Sequence, residues 1–271
     1  MGKSSVDYVV CIPSYQRAEI CRDRTLAMLE ENRIDPRVIY VYVANESEYA
    51  TYKQTLKPGS YRKIVLGVKG LVPQRQFISD SWPMNKKIVY LDDDIRGVDR
   101  SQSEKFRGHS LSYFLKTAFQ ECLQRGAFIW GVYPVYNLGW MKKRPELSTG
   151  LKFIAGGFYG IINRPSFSST GKDLALDLLA HLASKEDVER SLKFFLKDGI
   201  VLRFNRVGMV TKTYGNVGGL GNLAARLKEN EKAAKLLKRV YPGLGSIYVR
   251  DNGTWEFKLA DIPAFNHLSA T

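Results

Sequence analysis

The amino-acid sequence predicts an α/β protein in which helices flank a central, mostly parallel sheet. β-Prone runs alternate with helical patterns over residues 8–94, which is typical of βαβ units. The chain has 271 residues, enough for one large α/β domain, and its content of 44% hydrophobic and 25% charged residues is ordinary for a globular protein. It contains no repeat, low-complexity tract or linker, so we predict a single domain over residues 1–271.

The first part of the chain supplies the parallel strands. Apolar, β-prone runs predict strands over residues 8–12, 37–43, 62–66 and 88–91. The intervening patterns predict a helix that begins at Asp23 or Arg24 and helices over residues 48–56 and 72–79. Because the carboxyl ends of parallel strands meet at one edge of a sheet, we expect four polar segments to share that edge. They are Pro13-Ser14-Tyr15, Asn45-Glu46, Gly70 and Asp92-Asp93-Asp94.

After residue 94 the alternation becomes less regular. We predict a mobile polar loop over residues 97–108, a helix over 111–125, a strand over 128–136 and a basic loop over 138–150. A glycine-interrupted strand over 153–162, helices over 174–182 and 188–197, and paired strands over 200–204 and 208–213 follow. A glycine-rich loop over 215–221 precedes a basic helix over 223–240 and a hairpin over 247–259. The hairpin turn is Asp251-Asn252-Gly253.

The charge balance indicates a polyanionic partner. Lysine and arginine number 41 against 27 aspartate and glutamate residues, which gives a net charge of +14 and a pI near 9.6. Such an excess favours nucleic acid, an anionic membrane or a nucleotide-rich pocket, and the alternative is a solvated basic surface. Cys11, Cys21 and Cys122 form neither a disulfide framework nor a metal-binding pattern. With no signal peptide or membrane-length apolar stretch, we expect a soluble cytoplasmic protein with no membrane partner.

The most informative short stretch is the β-prone run 88–91 followed by three consecutive carboxylates, Asp92, Asp93 and Asp94. Adjacent negative charges repel one another, so a fold that places them together requires a compensating partner. Carboxylate oxygens are the ligands that Mg²⁺ and Mn²⁺ prefer, and a metal at this edge of a sheet suggests a diphosphate substrate. The alternative is a solvated acidic turn that caps the next helix.

Other polar residues near the same edge can form a nucleotide site. Backbone and side chains of the turn after the first strand can hold a base or ribose, an arginine can reach a phosphate, and a carboxylate can accept hydrogen bonds from the nucleoside. A second arginine can either pair with a phosphate or fasten the acidic cluster. For each residue alone, turn geometry or a surface charge is the simpler interpretation. The candidates are Pro13, Ser14, Tyr15, Arg17, Glu46 and Arg75.

The motif order resembles GT-A glycosyltransferases of the family 2 type over residues 8–204. The motifs are PSYxR, NES, GLVPQRQ, VYLDDDI, FIAGGFYGII and KEDVERSLKFFLKDG. The resemblance implies a UDP-sugar donor, a DxD-type motif that holds Mn²⁺ or Mg²⁺, and an ED motif at Glu186-Asp187. It implies that Asp92 lies near the ribose and sugar and also at the metal, that Asp94 is the metal ligand, and that Asp187 is the base of an inverting transfer. Asp93 could serve either role, and helix capping after Ser184 is the alternative for Glu186-Asp187.

Two further features bear on this site. Gly156 and Gly157 can allow the backbone to approach the sugar or acceptor closely, and strand-edge packing is the alternative. Many family members carry an additional metal-binding histidine, but His109, His181 and His267 do not stand at a matching place. The third protein ligand is therefore unassigned. The glycine-rich loop, with Lys212, Tyr214 and Asn216, could close over the diphosphate instead.

The acceptor is suggested by charge and by a second resemblance. Aromatic and basic residues are interleaved at Tyr136, Trp140, Lys142, Lys143 and Arg144, as in proteins that stack or wedge bases. Small basic GT-A proteins of this kind resemble phage and large-virus enzymes that glycosylate 5-hydroxymethylcytosine or 5-hydroxymethyluracil in double-stranded DNA, which would place the protein in a host cytoplasm. The alternatives are a polysaccharide, lipid or protein acceptor, and a non-catalytic nucleic-acid-binding domain. We expect residues 1–99 to bind the donor, 100–220 the acceptor, and 221–271 to form an extension.

Overall fold

The computed structural model describes residues 7–178, 184–211 and 223–265, the last range with side chains from residue 227 onward. The strands are β1 (Tyr8–Pro13), β2 (Ile39–Val43), β3 (Lys63–Leu66), β4 (Lys87–Leu91), β5 (Ile95–Asp99), β6 (Ile129–Tyr133), β7 (Leu147–Ser148), β8 (Phe158–Ile162), β9 (Leu202–Thr211), β10 (Gly245–Val249) and β11 (Trp255–Leu259). The helices are α1 (Ala18–Ile20), α2 (Ala27–Glu31), α3 (Glu46–Thr55), α4 (Leu71–Asp80), α5 (Leu111–Arg125), α6 (Leu138–Lys142), α7 (Glu186–Asp198) and α8 (Leu223–Val240). A π-helical segment, Cys21–Leu26, joins α1 to α2.

A mixed sheet forms the centre of the molecule. Its strand order is β3-β2-β1-β4-β8-β6-β9-β5, and β7 pairs with β9. The strands β1 to β4 are parallel to one another, and β6 and β9 run in the same direction as these four. The strands β5, β7 and β8 run in the opposite direction. The predicted mostly parallel sheet is therefore confirmed, and the carboxyl ends of β1 to β4 lie at one edge.

Both faces of the sheet are buried. In β1, Val10 and Ile12 join one hydrophobic cluster and Val9 and Cys11 join the other, because successive side chains of a strand point to opposite faces. The second cluster also contains Leu237 of α8 and Phe257 of the hairpin β10–β11. The predicted C-terminal helix and hairpin are thus confirmed, and they pack onto one face of the central sheet. No helix among the described residues is long and apolar enough to cross a membrane.

Several predicted elements were wrong, each through the influence of tertiary contacts. The segment expected as a mobile loop over 97–108 begins as β5, because Ile95 and Val98 are buried and the strand pairs with β9. In place of the two strands expected over 200–204 and 208–213, the structure has the single strand β9, which pairs with β6 through Leu202–Phe204 and with β5 through residues 208–211. A register shift in the β6–β9 pairing accommodates the intervening residues. Residues 212–213 lie outside the described residues.

Helix boundaries also differ from the sequence prediction. The helical stretch expected from Asp23 or Arg24 begins at Ala18, since the π-helical segment continues it without a break. Part of the basic loop over 138–150 folds as α6, which Asn137 caps by accepting the backbone N–H of Trp140. In the helix expected over 174–182, Leu174 ends a 3-10 helix and residues 175–178 are not helical. Residues 179–182 and the glycine-rich loop over 215–221 lie outside the described residues.

Candidate active site

The middle carboxylate of the acidic run is held inside the protein. Asp93 is 5% exposed and accepts hydrogen bonds from Ser14 Oγ at 2.5 Å and from Arg17 Nη1 at 3.3 Å. The Ser14 hydroxyl lies 2.6 Å from the hydroxyl of Tyr52, which in turn accepts the backbone N–H of Arg17. This network holds Asp93 in the interior, whereas the side chains of Asp92 and Asp94 remain partly exposed.

Asp94 lies beside the end of β9. Thr211 Oγ1 donates to Asp94 Oδ1 at 3.2 Å, and Arg17 Nη1 lies 3.9 Å from Asp94 Oδ2. The side chain of Asp94 retains 18% of its surface exposed. The predicted loop residues Lys212, Tyr214 and Asn216, which follow Thr211 in the chain, lie outside the described residues.

Asp92 is joined to the distant Glu186 by one buried guanidinium. Arg75, which α4 supplies and which is 5% exposed, donates through Nη2 to Asp92 Oδ1 at 3.1 Å and to the Gly156 carbonyl at 2.9 Å. Its Nη1 donates to Glu186 Oε1. Of the two roles predicted for Arg75, the geometry therefore favours fastening the acidic cluster over pairing with a phosphate.

Glu186 and Asp187 occupy the first turn of α7 but have different surroundings. Glu186 is buried between two guanidinium groups, since Arg190 Nη1 donates to its second oxygen at 2.6 Å. Asp187 is half-buried, and its Oδ2 accepts the Gly156 N–H at 3.4 Å. The helix starts after Lys185 without a side-chain cap, so the capping by Ser184 considered above does not occur.

The environment of Asp187 favours a proton acceptor that works near neutral pH. Burial and the neighbouring Glu186 carboxylate raise the pKa of Asp187 to about 6, although Arg190 and Arg75 oppose the shift. Burial likewise raises the pKa of Asp92 to about 6, with Arg75 acting in the opposite direction and Asp93 and Asp94 adding to the rise. A carboxylate with such a pKa is ionised at pH 7 and still basic enough to accept a proton.

The two predicted glycines fit the packing alternative. A Cβ on Gly156 would lie 2.8 Å from Arg75 Nη1 and 2.9 Å from Glu186 Oε1, and one on Gly157 would lie 2.8 Å from Met209 Sδ. The protein's own side chains fill the space beside both residues. The Gly157 carbonyl also accepts the Asp92 N–H at 2.9 Å, so the pair brings β8 against the acidic run.

The remaining donor-side candidates lie around the turn that follows β1. Pro13 ends the strand, and Tyr15 is half-buried with Lys69 Nζ 5.8 Å from its ring centroid. Glu46 is exposed in the first turn of α3. The carboxylate of α3 that contacts this turn is Glu48, which accepts the Gln16 N–H at 2.8 Å and which sequence reasoning missed, although it lies only two positions beyond Glu46.

Asp92 and Asp94 offer part of the set of oxygen ligands that a divalent cation needs. Their side chains are 40% and 18% exposed, and they are hard oxygen donors. Within the described residues, no group of three or more histidine, cysteine, aspartate or glutamate side chains is arranged to hold a metal ion. His109 stacks on Tyr113 at 4.3 Å, while His181 and His267 lie outside the described residues. Substrate oxygens and water would have to complete the coordination.

An exposed aromatic and basic surface lies near Asp99, at the end of β5 that is remote from the acidic run. Tyr136 and Trp140 are 44% and 55% exposed, and Tyr136 donates its hydroxyl to Asp99 Oδ2 at 2.8 Å. We call this region the α6 surface; its other members are the exposed residues Lys142, Lys143 and Arg144. Because β5 runs from the residue after Asp94 to Asp99, about 16 Å of strand separates the α6 surface from the acidic run.

Comparison with known proteins finds similar chain paths among solved structures. No family model and no curated protein matches the sequence. Residues 1–349 of S. aureus TarS align with 14% identity and a TM-score of 0.46 over 73% of this chain and 58% of TarS 1–349; in complex with UDP the values are 14%, 0.48, 87% and 72%. The galactosyltransferase LgtC with donor and acceptor sugar analogs aligns with 13% identity and a TM-score of 0.40, over 68% of this chain and 69% of LgtC. Similarity at this level assigns no activity or substrate to this protein.

The buried ion network generates a prediction about stability. Glu186→Ala leaves Arg75 and Arg190 buried without their shared counter-charge, so we expect the free energy of unfolding to fall by about 3–5 kcal/mol. Urea denaturation at pH 7 measures this change. The matched control is Glu30→Ala, which breaks an exposed pair with Lys57 and should cost less than about 1 kcal/mol. Equal, small losses in both variants would show that the network does not depend on Glu186.

Proposed function

We propose that this protein is a metal-dependent glycosyltransferase that moves a sugar from a UDP-sugar to the hydroxymethyl group of a modified pyrimidine in DNA. One observation carries the enzymatic part. Arg75 donates both to Asp92 and to the Gly156 carbonyl, and Asp187 accepts the N–H of Gly156. Two carboxylates far apart in sequence are therefore linked through Arg75 and Gly156. Two carboxylates with a raised pKa, linked in this way near the carboxyl edge of parallel strands, suit transfer from a diphosphate donor. The motif resemblance over residues 8–204 supports the same assignment.

On the donor side, Asp94 and Asp92 would hold Mn²⁺ or Mg²⁺. A divalent cation bound there supplies neutralisation of the charge that develops on the departing diphosphate. Ser14, Arg17 and Tyr15 would define the nucleoside end of the site. Arg75 contributes indirectly, because its guanidinium donates to Asp92 Oδ1 and so restrains the orientation of that carboxylate.

On the acceptor side, Asp187 would act as the base. It removes the proton of the acceptor hydroxyl while that oxygen forms a bond to the anomeric carbon of the sugar. The bond between the anomeric carbon and the diphosphate oxygen breaks, and its electron pair leaves on the nucleoside diphosphate. A single displacement of this kind inverts the anomeric configuration. Glu186 is unsuited to this task because Arg75 and Arg190 occupy both of its oxygens.

The α6 surface supports a polymeric, anionic acceptor. Trp140 and Tyr136 offer exposed rings on which bases can stack, and Lys142, Lys143 and Arg144 offer exposed cations for phosphates. The strand β5, which lies between Asp94 and Asp99, is about 16 Å long, a length comparable to several nucleotides of a DNA strand. The target base would be flipped out of the duplex to bring its hydroxymethyl group to Asp187.

Substitutions at the two carboxylates should separate base catalysis from donor binding. We expect Asp187→Asn to lower the transfer rate at least about 100-fold while leaving Mn²⁺-dependent UDP binding intact, since it removes only the proton acceptor. Asp94→Ala should abolish both transfer and the metal dependence of UDP binding. Radiolabelled transfer assays and titration calorimetry measure the two properties. Full activity in either variant would remove that residue from its role.

The raised pKa of Asp187 predicts the pH profile. The base must be ionised, so kcat/KM should be constant above pH 7 and fall tenfold per pH unit well below an apparent pKa near 6. The measurement is the initial transfer rate between pH 4.5 and 8.5 at saturating Mn²⁺. The residual activity of Asp187→Asn should not show this fall at low pH. The same fall in that variant would assign the titration to another group.

The acceptor is tested with duplexes that carry 5-hydroxymethylcytosine or 5-hydroxymethyluracil, a panel of nucleotide sugars and Mn²⁺, followed by nucleoside mass spectrometry. We expect one modified base to gain the mass of a sugar. The triple change of Lys142, Lys143 and Arg144 to glutamine should weaken this transfer and flatten its salt dependence, while donor hydrolysis stays unchanged.

The matched control removes three positive charges elsewhere, by changing Lys228, Lys232 and Arg239 of α8 to glutamine; these side chains are also exposed. We expect transfer to DNA by this variant to stay within about twofold of wild type. Turnover on a polysaccharide, lipid or protein acceptor without any mass gain on either DNA would refute the DNA acceptor and retain the glycosyltransferase.

A further inference from the structure

The helical stretch that follows β1 changes its hydrogen-bonding pattern beside the acidic run. Residues Cys21–Leu26 form a π-helical segment between α1 and α2. Segments of this kind are rare, cost backbone stability, and often occur at functional sites, where they redirect a side chain. Within this segment Cys21, Thr25 and Leu26 are buried. Thr25 is a polar residue among them, and it is 0% exposed.

The hydroxyl of Thr25 makes two hydrogen bonds, and both go to the acidic run. Thr25 Oγ1 donates to the Asp92 carbonyl at 2.7 Å and accepts the Ile95 N–H at 2.9 Å. These are the groups that close a four-residue turn from residue 92 to residue 95. Thr25 is thus bonded to both ends of the turn, while Asp93 and Asp94 occupy its middle.

The contacts of Thr25 complement those of the turn's own side chains. Ser14 and Arg17 fix Asp93, and Thr211 contacts Asp94. These contacts restrain the side chains of the turn, whereas Thr25 bonds the backbone groups at its two ends. The relative placement of Asp92 and Asp94 depends on the distance between those ends, because Asp92 is the first residue of the turn and Asp94 the third.

We propose that Thr25 is a positioning residue, delivered by the π-helical segment, that holds Asp92 and Asp94 at the spacing a divalent cation with a nucleoside diphosphate requires. The proposal rests on the function proposed above. Thr25 is fully buried, so it would act without contacting the donor or the acceptor. It acts through the backbone of the turn, so its removal should weaken metal-dependent nucleotide binding before it affects the global fold.

The test compares Thr25→Val, which keeps the shape and removes the hydroxyl, with Thr25→Ser, which retains it. We expect the Kd for Mn²⁺ in the presence of saturating UDP to rise about tenfold in Thr25→Val and to stay within about twofold of wild type in Thr25→Ser. Titration calorimetry and the electron paramagnetic resonance signal of free Mn²⁺ each measure this Kd. Hydrogen exchange of the Ile95 amide should accelerate in Thr25→Val alone, because that N–H loses its acceptor.

The matched control is Thr117→Val, which removes a buried threonine hydroxyl from α5 and should leave Mn²⁺ binding unchanged. Thr25→Ala is the second deletion variant, in case Thr25→Val does not fold. Wild-type protein that binds neither Mn²⁺ nor UDP would overturn the proposed function together with this inference. Wild-type binding that Thr25→Val and Thr25→Ala both retain would overturn only the positioning role of Thr25.

Discussion

The candidate site depends on one buried guanidinium. Arg75 contacts Asp92 at the end of β4, the Gly156 carbonyl before β8 and Glu186 at the start of α7, so three separate segments converge on a single planar group. Gly156 permits this convergence, since a Cβ at that position would collide with the guanidinium. Arginine suits the task because its donors form a rigid, permanently charged fork.

The network around Arg75 fixes the relative positions of Asp92, Gly156 and Glu186. Buried ion pairs lose much of their Coulombic attraction to desolvation, and apolar replacements are often equally stable. Here Arg190 lies over Tyr159 at 3.9 Å from the ring centroid, and Tyr159 stacks on Tyr90 at 4.7 Å. These aromatic contacts position Arg190, and Arg190 donates a hydrogen bond to Glu186. The negative charge of Glu186 in turn helps to raise the pKa of Asp187. Packing in the second hydrophobic cluster therefore reaches the proposed base through a short chain of contacts.

Periodicity predicted the elements whose burial is set locally and missed those defined by distant partners. The strands β1 to β4 and the helices α5 and α8 were predicted within a few residues, because apolar runs and amphipathic spacing reflect their own burial. The strand β5 is rich in polar residues and became a strand only because β9 pairs with it. Thr25 and Tyr52 gave no sequence signal, since a buried polar residue in a helical pattern does not disclose its partner.

Local pattern and chain direction predicted the α/β class, the shared edge of the parallel strands and the acidic run Asp92 to Asp94, and the family resemblance added Asp187 as the candidate base. The tertiary structure decided which side chains each of these carboxylates contacts. It buried Asp93 against Ser14 and Arg17, assigned Arg75 to the carboxylates, and separated Glu186 from Asp187. Such assignments depend on side-chain contacts between residues far apart in the chain, and the order of residue types along a sequence does not specify which distant groups will meet.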